Sequence, residues 1–253
     1  MEEKKEETFT VKKSTVWMIV SFVFIGLFIV SILTGGFRGF GSSSTGAVVI
    51  PQGNQDDGSI PSGAVVTKIS LDNDPYVGDK DAEIKFIEFS DFQCPFCRAF
   101  YTQSYANLIK EYADTGKVQF VFRDFPLPFH EGAQPYAEAA ECANEQGKWK
   151  LFHDKIFDEQ NKQGQGTVPY PGKAVVKQWA KEVGIDSGKF DSCFDSGKYK
   201  NEVQKDLAEG ESYGVSGTPS FFVGNDKIGY KQIVGAQPYA VIKQTIEEAL
   251  SKA

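Results

Sequence analysis

The stretch Phe89-Ser90-Asp91-Phe92-Gln93-Cys94-Pro95-Phe96-Cys97-Arg98 joins two patterns of different period. Before it, Ile84-Lys85-Phe86-Ile87-Glu88-Phe89 alternates on one side and carries extra apolar residues, as a central β-strand does. After it, Phe100, Tyr101, Tyr105, Leu108, Ile109 and Tyr112 form the stripe of an amphipathic helix, which Gly116 ends. Two cysteines two residues apart thus sit where a strand hands over to a helix.

Further along, Val118, Phe120 and Phe122 alternate in a second strand. Strand, helix and strand in close succession predict a parallel unit with a right-handed crossover. From about Gly132 to Gly214 the pattern is helical. One stripe holds Tyr136, Ala139, Ala140 and Ala143, and a second Trp149, Phe152, Ile156 and Phe157. Val175, Val176, Trp179 and Val183 make a third, followed by Phe190, Cys193 and Phe194, then Val203 and Leu207. Gly164 to Gly172, with Pro169 and Pro171, reads as a loop in this block. Ser220–Val223 and Ile228–Val234 read as strands around an Asn225-Asp226 turn, and Pro238–Leu250 as a closing helix. Val65–Leu71 is a short strand or extended lead-in, and Asp72–Asp81 is turn-rich. The order predicts an α/β sheet covered on both faces, with a helical insert at about residues 131–213.

Ahead of this domain, placed at residues 67–253, the chain changes character. Residues 1–13 mix Glu and Lys and read as a cytoplasmic tail. No charge occurs from Ser14 to Phe37, and Val16–Leu33 is nearly unbroken apolar sequence. A run of about 20 apolar residues spans a bilayer, so residues 14–36 read as a single transmembrane anchor. A cleaved signal peptide, with a shorter apolar core, is the rival. Four lysines precede the run and only Arg38 follows before Lys68, which keeps the N-terminus inside. Residues 37–66, rich in Gly, Ser, Pro and Asn, read as a flexible linker. The expected location is the cell membrane, with the folded domain extracytoplasmic.

With 253 residues, the chain can bury a core without staples. A net charge of −7 excludes the basic footprint that nucleic acid needs. No phosphate-binding loop is present.

A cysteine attacks only as thiolate. At a helix start, unpaired N–H groups and the helix dipole favour negative charge on Cys94, so the terminus is expected to supply most of the activation. Pro95 suits the first helical turn, where its missing N–H costs nothing. One turn of helix brings Cys97 within bonding range, so Cys94 can exchange disulfides and Cys97 resolve them. Zinc would need two more ligands, and His130, His153, Cys142 and Cys193 are scattered. A purely structural disulfide over so short a loop would gain little. The histidines read as surface or capping residues. Cys142 and Cys193, 51 positions apart, fit a structural disulfide, two buried free thiols or a second redox relay, with the disulfide favoured by an oxidising compartment.

At this point a resemblance becomes specific. Glu88-Phe89-Ser90-Asp91-Phe92-Gln93-Cys94-Pro95-Phe96-Cys97 resembles the active-site segment of membrane-anchored, DsbA-like thiol–disulfide oxidoreductases of the thioredoxin superfamily. Gly214-Val215-Ser216-Gly217-Thr218-Pro219-Ser220-Phe221-Phe222 resembles their cis-proline loop. Ala139-Ala140-Glu141-Cys142-Ala143, Gly147-Lys148-Trp149 and Phe190-Asp191-Ser192-Cys193 resemble segments of their helical insert. The likeness covers about residues 66–253.

The resemblance implies a thioredoxin fold with an inserted helical subdomain. It makes Cys94 the attacking, partly exposed cysteine and Cys97 the resolving one. It sets Thr218 and a cis Pro219 against the pair, with the backbone near Thr218 pairing with substrate. It puts Glu88 where relatives keep a buried acid that exchanges a proton with Cys97; the alternative is that Glu88 points outward, since alternation alone does not choose the face. Strong oxidants of this family often carry histidine between the cysteines, whereas this chain has Phe96, which predicts a weaker oxidant.

The reading that follows is an enzyme, a monomer without cofactor, that forms disulfides in reduced exported proteins. A single membrane helix leaves no room for a quinone site, so a separate membrane thiol oxidase, DsbB-like or VKOR-like, is the expected reoxidant. The alternatives are a reductase or isomerase of the same fold, or a non-enzymatic peptide-binding module.

Overall fold

The computed structural model describes residues 65–253. The tail at 1–13, the anchor at 14–36 and all but the last two residues of the linker at 37–66 lie outside the described residues. Among the described residues no helix is long and apolar enough to cross a membrane.

Six strands form one sheet: β1 (Val65–Val66), β2 (Tyr76–Val77), β3 (Ile84–Ser90), β4 (Val118–Asp124), β5 (Ser220–Asn225) and β6 (Gly229–Val234). Their order across the sheet is β1-β6-β5-β3-β4-β2. Only β3 and β4 pair in parallel, Glu88 opposite Phe122. Every other pairing is antiparallel. Between β3 and β4, helix α1 begins as Pro95–Phe100 and runs on through wide turns at Tyr101–Tyr105 and Ile109–Ala113. The insert comprises α2 (Ala133–Asn144), α3 (Trp149–Asn161), α4 (Lys173–Glu182), α5 (Ser187–Ser196) and α6 (Lys200–Ser212). Helix α7 (Tyr239–Leu250) closes the chain.

Side chains two apart on a strand share a face. On β3, Ile84 and Phe86 enter a large core with Phe120 and Phe122 of β4, Phe221 of β5 and residues of α1, α2, α3 and α7. Ile87 and Phe89 enter a smaller core on the opposite face, with Val121, Phe125, Val215 and Phe222. Two buried faces explain why β3 reads as almost continuously apolar. Helices α2 and α5 are joined by a Cys142–Cys193 disulfide with Cα atoms 5.9 Å apart.

At the N-terminal edge, Val65 and Val66 pair with Lys231 and Tyr230, so the short strand read from Val65 onward is present and the sheet reaches two residues ahead of 67. One expectation is corrected. The turn-rich Asp72–Asp81 segment holds a strand, because Tyr76 and Val77 pair with Val121 and Phe120. Two residues are too few to display a period of two. The fully buried Arg123 fastens this segment, with Nε 2.7 Å from Asp74, Nη1 2.9 Å from Glu209 and Nη2 on Asp206 of α6.

Candidate active site

The local chemistry of Asp91 shapes the turn from β3 into α1. Its side chain accepts from Gln93 N at 2.7 Å and its carbonyl from Cys94 N at 3.0 Å, an Asx turn that ends the strand. Pro95 then opens α1, and Cys94 O accepts from Arg98 N at 3.1 Å. From the far end of the sequence, the Thr218–Pro219 peptide bond is cis, and the Cys94 thiol meets Thr218 O at 3.4 Å.

Both thiols are free. Cys97 has no exposed surface, and Cys94 keeps 3%, so the expected partial exposure of Cys94 is corrected. The turn of α1 and the Thr218 carbonyl enclose its sulfur. Phe96, by contrast, is 64% exposed beside it.

Electrostatics separates the two thiols. Hydrogen bonding from the Cys97 thiol is the largest influence holding Cys94 down, at about 6; burial opposes it. Proximity of the Thr218 side chain, whose hydroxyl is buried without a hydrogen-bond partner, and the N–H groups of Cys97 and Phe96 add to the lowering. The N–H groups at the start of α1 thus act on Cys94 together with the Cys97 thiol that the helical turn brings alongside it. Burial, and then the neighbouring Cys94 sulfur, push the Cys97 thiol up. The Asp91 N–H lies 3.5 Å from Cys97 Sγ.

Glu88 shares the Ile84–Phe86 face of β3 and is 1% exposed, so it does not point outward to solvent. Its Oε1 accepts from Ser90 Oγ at 2.7 Å, while Oε2 has no partner. Its pKa is raised to about 8, chiefly by burial; the Ser90 hydrogen bond works against this and the Cys94 charge works with it.

Several polar side chains that the sequence reading passed over hold this site. Asp91 Oδ2 takes Leu127 N at 3.0 Å and His130 Nδ1 at 2.6 Å. Gln93 accepts from Gly132 N at 2.6 Å and donates to Val168 O at 2.8 Å. Arg98 Nη2 donates to Gly164 O at 2.9 Å and Gly166 O at 2.7 Å, tying the 164–172 loop to α1. The available signal was the concentration of polar residues, Ser90, Asp91 and Gln93, just ahead of the cysteines. Neither histidine is a surface residue: His130 is buried on Asp91, and His153 is packed among Phe92, Phe122, Trp149 and Phe157. Both correct the expectation of surface positions: the Asp91 carboxylate holds His130, and aromatic side chains from distant elements enclose His153. Cys142 and Cys193 belong to the insert, bonded to each other and not assembled with Cys94 and Cys97. Among the described residues no cluster of three or more His, Cys, Asp or Glu is arranged to hold a metal ion.

An asymmetric dithiol of this kind, one sulfur ionising readily and its neighbour protonated in the core, is equipped for disulfide exchange. Residues 70–248 match the family model described as Thioredoxin. The probable disulfide bond formation protein D of Bacillus cereus is 32% identical over 151 residues, spanning 58% of this chain and 68% of that protein. Disulfide bond formation protein D of Bacillus subtilis is 29% identical over 191 residues, spanning 74% and 82%. Among solved structures, oxidised BdbD from Bacillus subtilis overlays with a TM-score of 0.63 at 27% identity, covering 75% of this chain and 97% of that one. Wolbachia pipientis alpha-DsbA1 overlays at 0.60 with 22% identity over 73% of this chain and 94% of that one, a likeness of fold alone.

Proposed function

Since the chain belongs to the thioredoxin family, as a DsbA-like thiol–disulfide oxidoreductase, we propose that its redox centre is Cys94-Pro95-Phe96-Cys97 and that it forms disulfides in exported proteins. The observation that carries this reading is the pair of free thiols at the start of α1, Cys94 against the Thr218 carbonyl at 3.4 Å beside the cis Pro219 and Cys97 buried behind it; the same geometry lowers the Cys94 pKa and raises that of Cys97.

In the oxidised enzyme, a client thiolate attacks Cys94 Sγ. The Cys94–Cys97 bond breaks, a mixed disulfide forms on Cys94, and Cys97 leaves as thiolate. Buried, that thiolate takes a proton, and Glu88, still protonated at neutral pH with a pKa of about 8, is the group to supply it. A second client thiolate then attacks the client sulfur of the mixed disulfide, and Cys94 departs as a stable thiolate. Two electrons pass from the client dithiol to the cysteine pair. Thr218 and cis Pro219 flank the reacting sulfur, and the exposed Phe96 offers an apolar contact to the client.

The reduced pair must then be reoxidised. We assign that to a membrane thiol oxidase of DsbB-like or VKOR-like type, with this chain tethered by residues 14–36 and its domain outside the cytoplasm. Replacing Cys94 by Ser should abolish insulin-type disulfide exchange and the oxidative refolding of a reduced client. Retained activity in that variant would overturn the assignment.

A further inference from the structure

Two arginines are buried among the described residues, and they are held in different ways. Arg123 faces three carboxylates, those of Asp74, Asp206 and Glu209. Arg98, only 4% exposed, makes no salt bridge to a carboxylate among the described residues. Its side chain instead donates through Nη2 to two backbone carbonyls, Gly164 O at 2.9 Å and Gly166 O at 2.7 Å. Its Nη1 is buried without a partner. A guanidinium does not shed its proton in a protein, and a buried charge without a counter-charge is costly. Such a cation needs an anion nearby.

The reacting cysteine supplies one. Arg98 N donates to Cys94 O at 3.1 Å, which sets the arginine one helical turn past that cysteine. Burial works against the guanidinium charge, and the Cys94 charge works for it. The loop that grips Arg98 is itself fastened on the other side of the dithiol, where Gln93 Nε2 donates to Val168 O at 2.8 Å. One loop of the insert is therefore sewn to the residues immediately before and after Cys94-Pro95-Phe96-Cys97. Gly164 and Gly166 take φ values of +105° and +80°, a backbone open to glycine, and their carbonyls converge on one nitrogen.

We propose that Arg98, fixed by the carbonyls of the 164–172 loop, is the cation that balances the Cys94 thiolate and so helps to set the oxidising strength of the pair. The proposal rests on the redox role assigned to Cys94 and Cys97 above. In the reduced enzyme, thiolate and guanidinium offset each other across a poorly screened interior. In the oxidised enzyme the counter-charge is gone, and carbonyl dipoles alone face the guanidinium. Taking two electrons from a client dithiol therefore relieves a buried charge, which favours the reduced form. The same cation stabilises Cys94 as it leaves the mixed disulfide. With Phe96 between the cysteines no histidine supplies this charge, and Arg98 supplies it from just outside the tetrapeptide.

The test compares two variants of the full-length protein. In R98Q the amide still donates to a loop carbonyl but carries no charge; R98K keeps the charge. Alkylation of the reduced protein by iodoacetamide reads the Cys94 midpoint, and equilibration with glutathione reads the potential. R98Q should raise the midpoint by about one pH unit, the low end of what a neighbouring opposite charge gives. Its potential should become more negative by about 30 mV, the same tenfold converted for two electrons. R98K should restore most of both. R98M gives a second neutral variant should R98Q not fold. A midpoint unmoved in the neutral variant, or moved as far in R98K, would overturn the role of the charge, while insulin-type exchange by the same proteins leaves the redox pair standing. A wild-type protein that exchanges no disulfides would overturn both.

Discussion

His130 Nδ1 lies 2.6 Å from the Asp91 carboxylate, three residues upstream of Cys94. The same carboxylate accepts from Gln93 N and Leu127 N, and the Asp91 backbone reaches both sulfur-bearing residues: its carbonyl takes Cys94 N and its N–H faces Cys97 Sγ. Asp91 is a positioning residue that couples the segment after β4 to the geometry of the dithiol.

Asp91→Asn puts an NH2 group among N–H donors in a buried site. An unmatched buried polar group costs about 1–3 kcal/mol. Urea unfolding should show a loss of that size, and oxidation of a peptide client should slow more than oxidation of dithiothreitol. A variant matching the wild type in both would show that the bonds to Asp91 have no bearing on the site.

The Cys94 thiol is depressed from 9.0 to about 6, while Cys97 is raised. The thiolate therefore stabilises the reduced fold at high pH, and that contribution is lost as pH falls through about 6. Alkylation of the reduced protein with iodoacetamide, resolved by mass spectrometry, should modify Cys94 with a midpoint near pH 6 and leave Cys97 untouched through pH 9. A Cys94 midpoint near that of an ordinary thiol would contradict the opposed ionisation.

Phe96 is exposed, so a histidine fits there without repacking the core. A histidinium beside Cys94 would favour the thiolate and hence the reduced form. Each unit by which the Cys94 pKa falls corresponds to about 30 mV in a two-electron couple. Phe96→His should make the potential less negative by about that amount, read by equilibration with glutathione. An unchanged potential would mean that the residue between the cysteines does not set oxidising strength here.

Glu88 has its pKa raised from 4.5 to about 8. The folded state keeps a proton that the unfolded chain releases, so stability falls as pH rises between those values. Glu88→Gln removes that dependence while an oxygen remains for Ser90. The variant should be more stable than wild type at pH 8 by about 2 kcal/mol after allowing for its unpaired NH2, and should lose the advantage by pH 5. Chemical denaturation at the two pH values measures this. Release of Cys97 should slow in the same variant, because its proton donor is gone.

The strand–helix–strand order around Cys94 and the helical character of the insert were legible because periods of two and 3.6 are local properties of the chain. The β2 strand was not, since Tyr76 and Val77 owe their state to the backbone of β4. Val65 and Val66, read as a short strand or an extended lead-in, owe the choice between the two to pairing with β6.

At the site, the sequence by itself determined the two cysteines, their spacing, the proline after the first and the polar run before them. Tertiary structure decided the rest. Alternation puts Glu88 with Ile84 and Phe86, but only packing of α1 and the insert on that face makes it the interior. Asp91 meets His130 across 39 positions, and Cys94 meets Thr218 across 124. Those distances are set by how β4, α6 and β5 pack, and no local period encodes them. The same packing covers Cys94 and buries both histidines, which residue type alone would leave at the surface.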